Sequence, residues 1–99
     1  MSDDVIVRVQ AEWRNERVVL TLPGGAELSY TLEQCAEMYT TFYQHRRFLA
    51  GASFTMVPVP GGESWFKLSG EGAVLLLAFL RELRHARNIP DPPDPMANR

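Results

Sequence analysis

Residues 5–13 alternate between apolar and polar side chains, which is the period of two that a half-buried strand requires. We expect the odd-numbered positions to face a core, namely Val5, Val7, Val9, Ala11 and Trp13. Ile6 and the polar residues between them would then lie on an open sheet face. The whole segment is therefore predicted to be one continuous strand.

The same alternation recurs in two pairs of segments, each joined by a Pro-Gly-Gly turn. The paired segments are 18–22 with 26–30, and 54–59 with 64–68. In the second pair, Phe66 and Leu68 share one face, while Trp65 is expected on the open face with Val19 and Ile6. Pro58 has no amide donor, so we expect it at a sheet edge or where pairing stops.

Each hairpin is followed by a hydroxyl residue and then by a helical pattern. Thr31 begins a capping box, and the apolar arc after it predicts a helix over 32–50 that Gly51 ends in a left-handed conformation. Ser69 is placed to cap a second helix that runs to about residue 88. Each hairpin is thus expected to carry one amphipathic helix.

This order of elements predicts an α+β fold. We expect a two-layer sandwich, ββ(β)αββα, with two helices on one face of a mainly antiparallel sheet. The units 17–51 and 54–89 align in register, because placing Thr31 on Ser69 matches apolar positions at nearly every core-facing turn. An internal duplication and a chance likeness of two hairpin-helix units both explain this match.

The chain has 99 residues, of which 45% are hydrophobic and 22% charged, and this composition indicates one ordinary globular domain. We expect residues 5–89 to form that domain, between a disordered N-terminus at 1–4 and a flexible tail at 90–99 rich in proline and aspartate. The longest apolar run, 73–80, is too short to cross a membrane, and the acidic start is unlike a signal peptide. A cytoplasmic location is therefore expected, and the net charge of −2 argues against a general nucleic-acid binder.

Catalytic and metal-binding chemistry find little support in the residue pattern. Cys35 with His45 or His85 is the available nucleophile and base, but Cys35 falls within the apolar arc of the first helix, where cysteine usually packs as a small hydrophobe. One cysteine and two histidines 40 positions apart lack the clustered spacing of a zinc site. We expect no catalytic residues, no metal, no cofactor and no small-molecule substrate.

The most informative feature is an excess of apolar residues on the helices. The second helix is apolar at every position over 73–80, so Val74 and Ala78 lie outside the face that one sheet can cover, and Phe48 does the same on the first helix. Such a surplus indicates an interface with a second copy or a partner protein. The alternative is that Val74 and Ala78 are small enough for a surface, and that Phe48 folds under the connection at 52–54.

We therefore expect a non-enzymatic protein-interaction module, a homodimer, that regulates a larger protein as an inhibitor, anti-activator or adaptor. The expected interface residues are Phe48, Val74, Ala78, Arg81, Arg84, Arg87 and Trp65. One alternative is a nucleic-acid-associated regulator that uses the basic segment from Arg81 to Arg87. Another is a small-ligand or catalytic domain around Cys35, Tyr39 and Tyr43.

Overall fold

In a computed structural model, residues 4–90 are described, and they form five strands in two small antiparallel sheets together with three helices. The α+β fold predicted from the sequence is confirmed, although the strands form two sheets rather than a single one. The disorder predicted for residues 1–4 and the flexibility predicted for the tail at 90–99 concern residues that, apart from Asp4 and Pro90, lie outside the described residues.

The first sheet has three strands in the order β1-β2-β3. They are β1 at Gln10–Arg14, β2 at Arg17–Thr21 and β3 at Glu27–Tyr30. Leu20 of the central strand pairs with Ala11 on one side and Leu28 on the other, so these three side chains share the face turned to the core. Gly24 and Gly25 both have φ of 99°, which the turn after β2 requires and which glycine adopts without strain.

The second sheet is the hairpin of β4 at Thr55–Pro58 and β5 at Trp65–Leu68. The N-terminal segment lies beside β5 as a short parallel bridge between Ile6 and Leu68. The amide of Ile6 donates to the carbonyl of Lys67 at 2.8 Å, and the amide of Ser69 donates to the carbonyl of Ile6 at 2.8 Å. The chain therefore contacts the second sheet before it enters the first.

The prediction of one continuous strand over 5–13 is wrong in its first half. Ile6 packs against the core, whereas Val5 and Val7 are exposed, and the inward positions become odd-numbered only from Val9 onward. Since side chains alternate along a strand, pairing Ile6 with buried Leu68 turns its two neighbours outward. The irregular residues 7–9 absorb the change of phase between the two sheets.

Val19 was expected on an open sheet face, and this expectation is also wrong, because only 6% of its surface is exposed. Arg14 of β1 forms an ion pair with Glu27 of β3 across the middle of β2, with Nη1 and Oε1 3.2 Å apart. Arg14 also pairs with Glu12. We attribute the burial of Val19 to these long side chains, which cross the central strand above it.

The helices are α1 at Leu32–Gln44, α2 at Arg46–Leu49 and α3 at Gly70–Ala86. The capping box of Thr31 and Gln34 is confirmed, since each donates its amide to the side chain of the other. The cap of Ser69 is confirmed as well, with the amide of Gly72 2.9 Å from its Oγ.

The predicted single helix over 32–50 is divided at His45. Arg46 donates to the carbonyl of Tyr43 at 2.8 Å, which satisfies one of the carbonyls that this break exposes. Gly51 has no left-handed φ, and Ala50, the residue that caps the end of α2, is in right-handed helical geometry. At the end of α3 it is Asn88 that adopts the left-handed conformation, with φ of 60°.

The core lies between the helices and the inner faces of both sheets. Residues that the sequence alignment of units 17–51 and 54–89 matched with each other lie together in this core. The matched pairs Cys35 and Ala73, Met38 and Leu76, and Phe42 and Leu80 are all buried. Tyr30 links the two sheets, because its hydroxyl donates to the carbonyl of Pro58 at 2.6 Å. Whether the two units arose by duplication stays a prediction.

The start of α3 is packed closely enough to require glycine. A Cβ at Gly70 would meet the carbonyl oxygens of Leu49 and Ala52, and a Cβ at Gly72 would lie 2.5 Å from the carbonyl oxygen of Val7. The hydroxyl of Ser69 also donates to that same carbonyl of Val7 at 2.7 Å. The N-terminal segment and the first turn of α3 are therefore held in direct backbone contact.

Candidate interaction surfaces

The outer side of α3 carries three exposed apolar side chains, which we call the helix surface. They are Val74, Leu75 and Ala78, and the exposed fractions of the first two are 37% and 50%. Val74 and Ala78 therefore lie where the sequence predicted them. Leu75 was missed, although it lies within about 60° of Ala78 on a helical wheel and the wheel should have identified it.

Phe48 is exposed over 73% of its surface, although it belongs to the short helix α2 that packs against α3. This exposure does not support the alternative in which the ring folds beneath the connection at 52–54. Phe54 at the end of that connection is itself 41% exposed.

The outer face of the second sheet is a second apolar surface. Met56 pairs with Lys67 and Pro58 with Trp65, so these side chains share the face turned away from the core. Met56 is 43% and Trp65 50% exposed, and the Nζ of Lys67 lies 4.9 Å from the centre of the Phe54 ring.

Val5 and Val7 extend this surface, because the bridge that turns Ile6 inward points its two neighbours the other way. The exposed fraction of Val7 is 62%. We call the complete set the hairpin surface: Val5, Val7, Phe54, Met56 and Trp65. The sequence indicated only Trp65 of this set, since the phase change in the N-terminal segment concealed Val5 and Val7.

The basic residues near the end of α3 differ in their surroundings. Arg81 is exposed, whereas the guanidinium of Arg84 lies 4.8 Å from the centre of the Tyr39 ring and that of Arg87 lies 4.2 Å from the Trp13 ring. Two of the three arginines predicted at an interface therefore stack on aromatic side chains of their own chain.

A groove of about 340 Å³ runs between the start of α1 and the end of α3. Its apolar wall includes Leu32, Ala36, Leu80, Leu83 and Ile89. Arg84 and Arg87 also line it, and the Nε of Arg84 is buried without a hydrogen-bond partner among the described residues. A second groove, of about 350 Å³, lies between α1 and the turn of the second hairpin, and Met56 and Trp65 line it.

Cys35 lies at the bottom of the first groove and is 4% exposed. Burial raises the pKa of its thiol to about 11, and the nearby positive charge of Arg84 lowers it by less. A thiol with this pKa is almost entirely protonated at neutral pH. Tyr39 is fully buried and Tyr43 partly buried, with their ring centres 5.7 Å apart. This geometry does not favour a reactive nucleophile at Cys35.

Within residues 4–90, no group of three or more histidine, cysteine, aspartate or glutamate side chains is arranged to hold a metal ion. None of the helices in this part of the chain is long and apolar enough to span a membrane. Comparisons of the chain with protein-family models, with curated proteins and with solved structures find no match.

Proposed function

We propose that this protein is a non-enzymatic interaction module that forms a homodimer and regulates a larger protein by binding it, as an inhibitor, anti-activator or adaptor. The observation that carries this proposal is the exposure of apolar side chains on two separate elements, α3 and the second hairpin. Scattered surface hydrophobics are ordinary, but neighbouring ones on a regular element are typical of interfaces. A cytoplasmic location belongs to the same proposal, since a buried unpaired thiol requires no oxidising compartment.

The helix surface fits a second copy of the chain. A two-fold interface brings the same surface of both copies together, and two α3 helices crossing antiparallel at residue 76 would place Val74 opposite Ala78. The same register would place Glu71 opposite Arg81, so that opposite charges meet at both ends of the apolar stretch. Both residues are exposed, as this arrangement requires.

The hairpin surface would then remain open to a different protein. It carries an exposed tryptophan and methionine, two of the residue types enriched in interface cores. A standard interface covers about 800 Å² of each partner. That is about an eighth of the 6535 Å² surface of this chain, so its area is large enough for two such interfaces.

The nucleic-acid alternative has less support. The net charge of −2 argues against it, because general nucleic-acid binders usually carry a basic footprint. The catalytic alternative has less support because Cys35 is buried and its thiol is protonated at neutral pH.

Sedimentation equilibrium tests the dimer. We expect the unmodified chain to sediment as a dimer and the Val74→Glu/Ala78→Glu variant as a monomer. Gln10→Glu/Gln44→Glu is the matched control, because it adds the same two charges at exposed positions outside the helix surface. A monomeric wild type, or an equal effect of both variants, would refute the homodimer.

Affinity capture from the native host tests the larger partner. A partner that binds the hairpin surface is expected to be retained by the Val74→Glu/Ala78→Glu variant and lost by Trp65→Glu. Circular dichroism would check that Trp65→Glu still folds, which is expected because its side chain is half exposed. Capture that is unchanged by Trp65→Glu would contradict this assignment.

A further inference from the structure

The groove between α1 and α3 combines an apolar wall with two cations. Five aliphatic side chains line it, together with Arg84, Arg87 and Glu33. Glu33 is the one carboxylate among its lining residues. The groove therefore has a net positive charge from Arg84 and Arg87, and the Nε of Arg84 is buried beneath its surface without a hydrogen-bond partner among the described residues. Such a site suits an acidic segment with apolar side chains.

The chain enters this groove at its C-terminal end. Asn88 turns the backbone with a positive φ, and the amide of Ile89 donates to the carbonyl of Arg84 at 2.9 Å. This hydrogen bond returns the chain toward the last turns of α3. Ile89 itself lines the groove, so the described part of the chain ends one residue beyond a residue of its lining.

The residues that follow Pro90 have the complementary chemistry. They read Asp91-Pro92-Pro93-Asp94-Pro95, followed by Met96. Such a proline-rich segment favours polyproline II, which has three residues per turn, so the two aspartates would share one edge about 9 Å apart. Arg84 and Arg87 are likewise three positions apart on α3, and their long side chains reach over this separation.

The lengths agree as well. Leu80 and Arg87 are seven positions apart on α3, which is about 10 Å along the helix axis. Asp91 and Pro95 are four positions apart, which is about 12 Å in polyproline II. A segment tethered at the groove edge also has an effective concentration in the millimolar range, so weak contacts are enough to hold it there.

We infer that the groove between α1 and α3 is a binding site for the chain's own segment 91–95, with Asp91 and Asp94 paired to Arg87 and Arg84 and the prolines packed on the apolar wall. This site does not depend on the helix surface or the hairpin surface. The inference can therefore be tested separately from the proposed function.

The test uses NMR on the full-length chain, with the Nε–Hε signals of Arg84 and Arg87 as direct reporters. Replacing the two aspartates in Asp91→Asn/Asp94→Asn is expected to shift both signals. The matched control Glu16→Gln/Glu63→Gln removes two exposed carboxylates elsewhere and is expected to leave them in place. Unshifted arginine signals in the aspartate variant, or an equal shift in the control, would overturn the inference.

A spin label shows where the segment lies. In an Ala97→Cys variant, the spin label is attached at position 97, beyond the docked residues. At neutral pH it does not react with Cys35, because that thiol is buried and protonated. We expect loss of peak intensity for the amides of Cys35, Ala36 and Leu83, and recovery at high salt. Broadening confined to another face would overturn the inference. If the signals of a chain are broadened only by the spin label on a second copy, the intramolecular arrangement is overturned.

Discussion

Replacing Gly72 by alanine tests the contact between the N-terminal segment and α3. The added Cβ would lie 2.5 Å from the carbonyl oxygen of Val7 and 2.7 Å from Cδ1 of Leu68. The Leu68 side chain can yield, but the Val7 carbonyl is backbone and accepts the hydroxyl of Ser69 at 2.7 Å. The variant must therefore move the N-terminal segment away from α3 or distort the first turn of the helix.

The expected cost follows from three contributions. Overpacking costs about 1–3 kcal/mol, and loss of the hydrogen bond between Ser69 and Val7 costs about 1 kcal/mol. The higher helix propensity of alanine returns about 1 kcal/mol. We expect a net loss of about 1–3 kcal/mol of unfolding free energy, which lowers Tm by roughly 5 to 20 °C in a domain of this size.

Thermal and urea unfolding followed by circular dichroism would measure this loss. Gly51→Ala is the matched control, because its Cβ would meet no atom within 4 Å and its φ is not left-handed. That substitution is expected to leave stability unchanged or raise it by up to about 1 kcal/mol. Equal stability of Gly72→Ala and wild type would refute the close approach of Val7 to α3.

Three further substitutions test other contacts by urea unfolding. Ser69→Ala removes the cap of α3, and we expect a loss of about 1–2 kcal/mol; no loss would contradict the cap. Tyr30→Phe removes the hydrogen bond to Pro58 between the sheets, and we expect a loss of about 1 kcal/mol, with an unchanged midpoint as the contrary result. Burial raises the pKa of Cys35 from 9.0 to about 11, so below pH 9 both states hold the proton. Between pH 9 and 11 the unfolded chain releases it first, and the unfolding free energy should fall by up to about 1.4 kcal/mol per pH unit. Cys35→Ala should make this fall less steep, and an unchanged slope would contradict the shift.

Local signals were enough to predict most elements of this fold. The capping box at Thr31, the cap at Ser69 and the Pro-Gly-Gly turns depend on residues a few positions apart, and the structure has each of them. The apolar arc that buries Cys35, Met38 and Phe42 was also readable, because helical periodicity relates positions within one element.

Two of the features that were mispredicted depend on contacts between distant segments. The phase change after Ile6 is set by its pairing with Leu68, and nothing within residues 5–13 encodes that partner. We attribute the burial of Val19 to the ion pair of Arg14 with Glu27, which joins the two strands on either side of it. Periodicity predicts which face of an element is apolar, but it does not predict what lies opposite that face.

The candidate surfaces divide in the same way. Val74 and Ala78 follow from the composition of a single helix, and the structure leaves both exposed. The hairpin surface required the register of β4 against β5 and the bridge to Ile6 before its members could be grouped. The stacking of Arg84 on Tyr39 could not be predicted from the sequence either, because it depends on how α1 and α3 pack.

The bridge between Ile6 and Leu68 has a consequence for the order in which the chain folds. The hydroxyl of Ser69 and the carbonyl of Val7, which close the same contact, are 62 positions apart in the sequence. During synthesis, residues 5–9 leave the ribosome early but cannot be fixed until β5 and the start of α3 have followed. The part of the domain that is made first is therefore among the last to reach its native position, and closing this long loop should limit the folding rate.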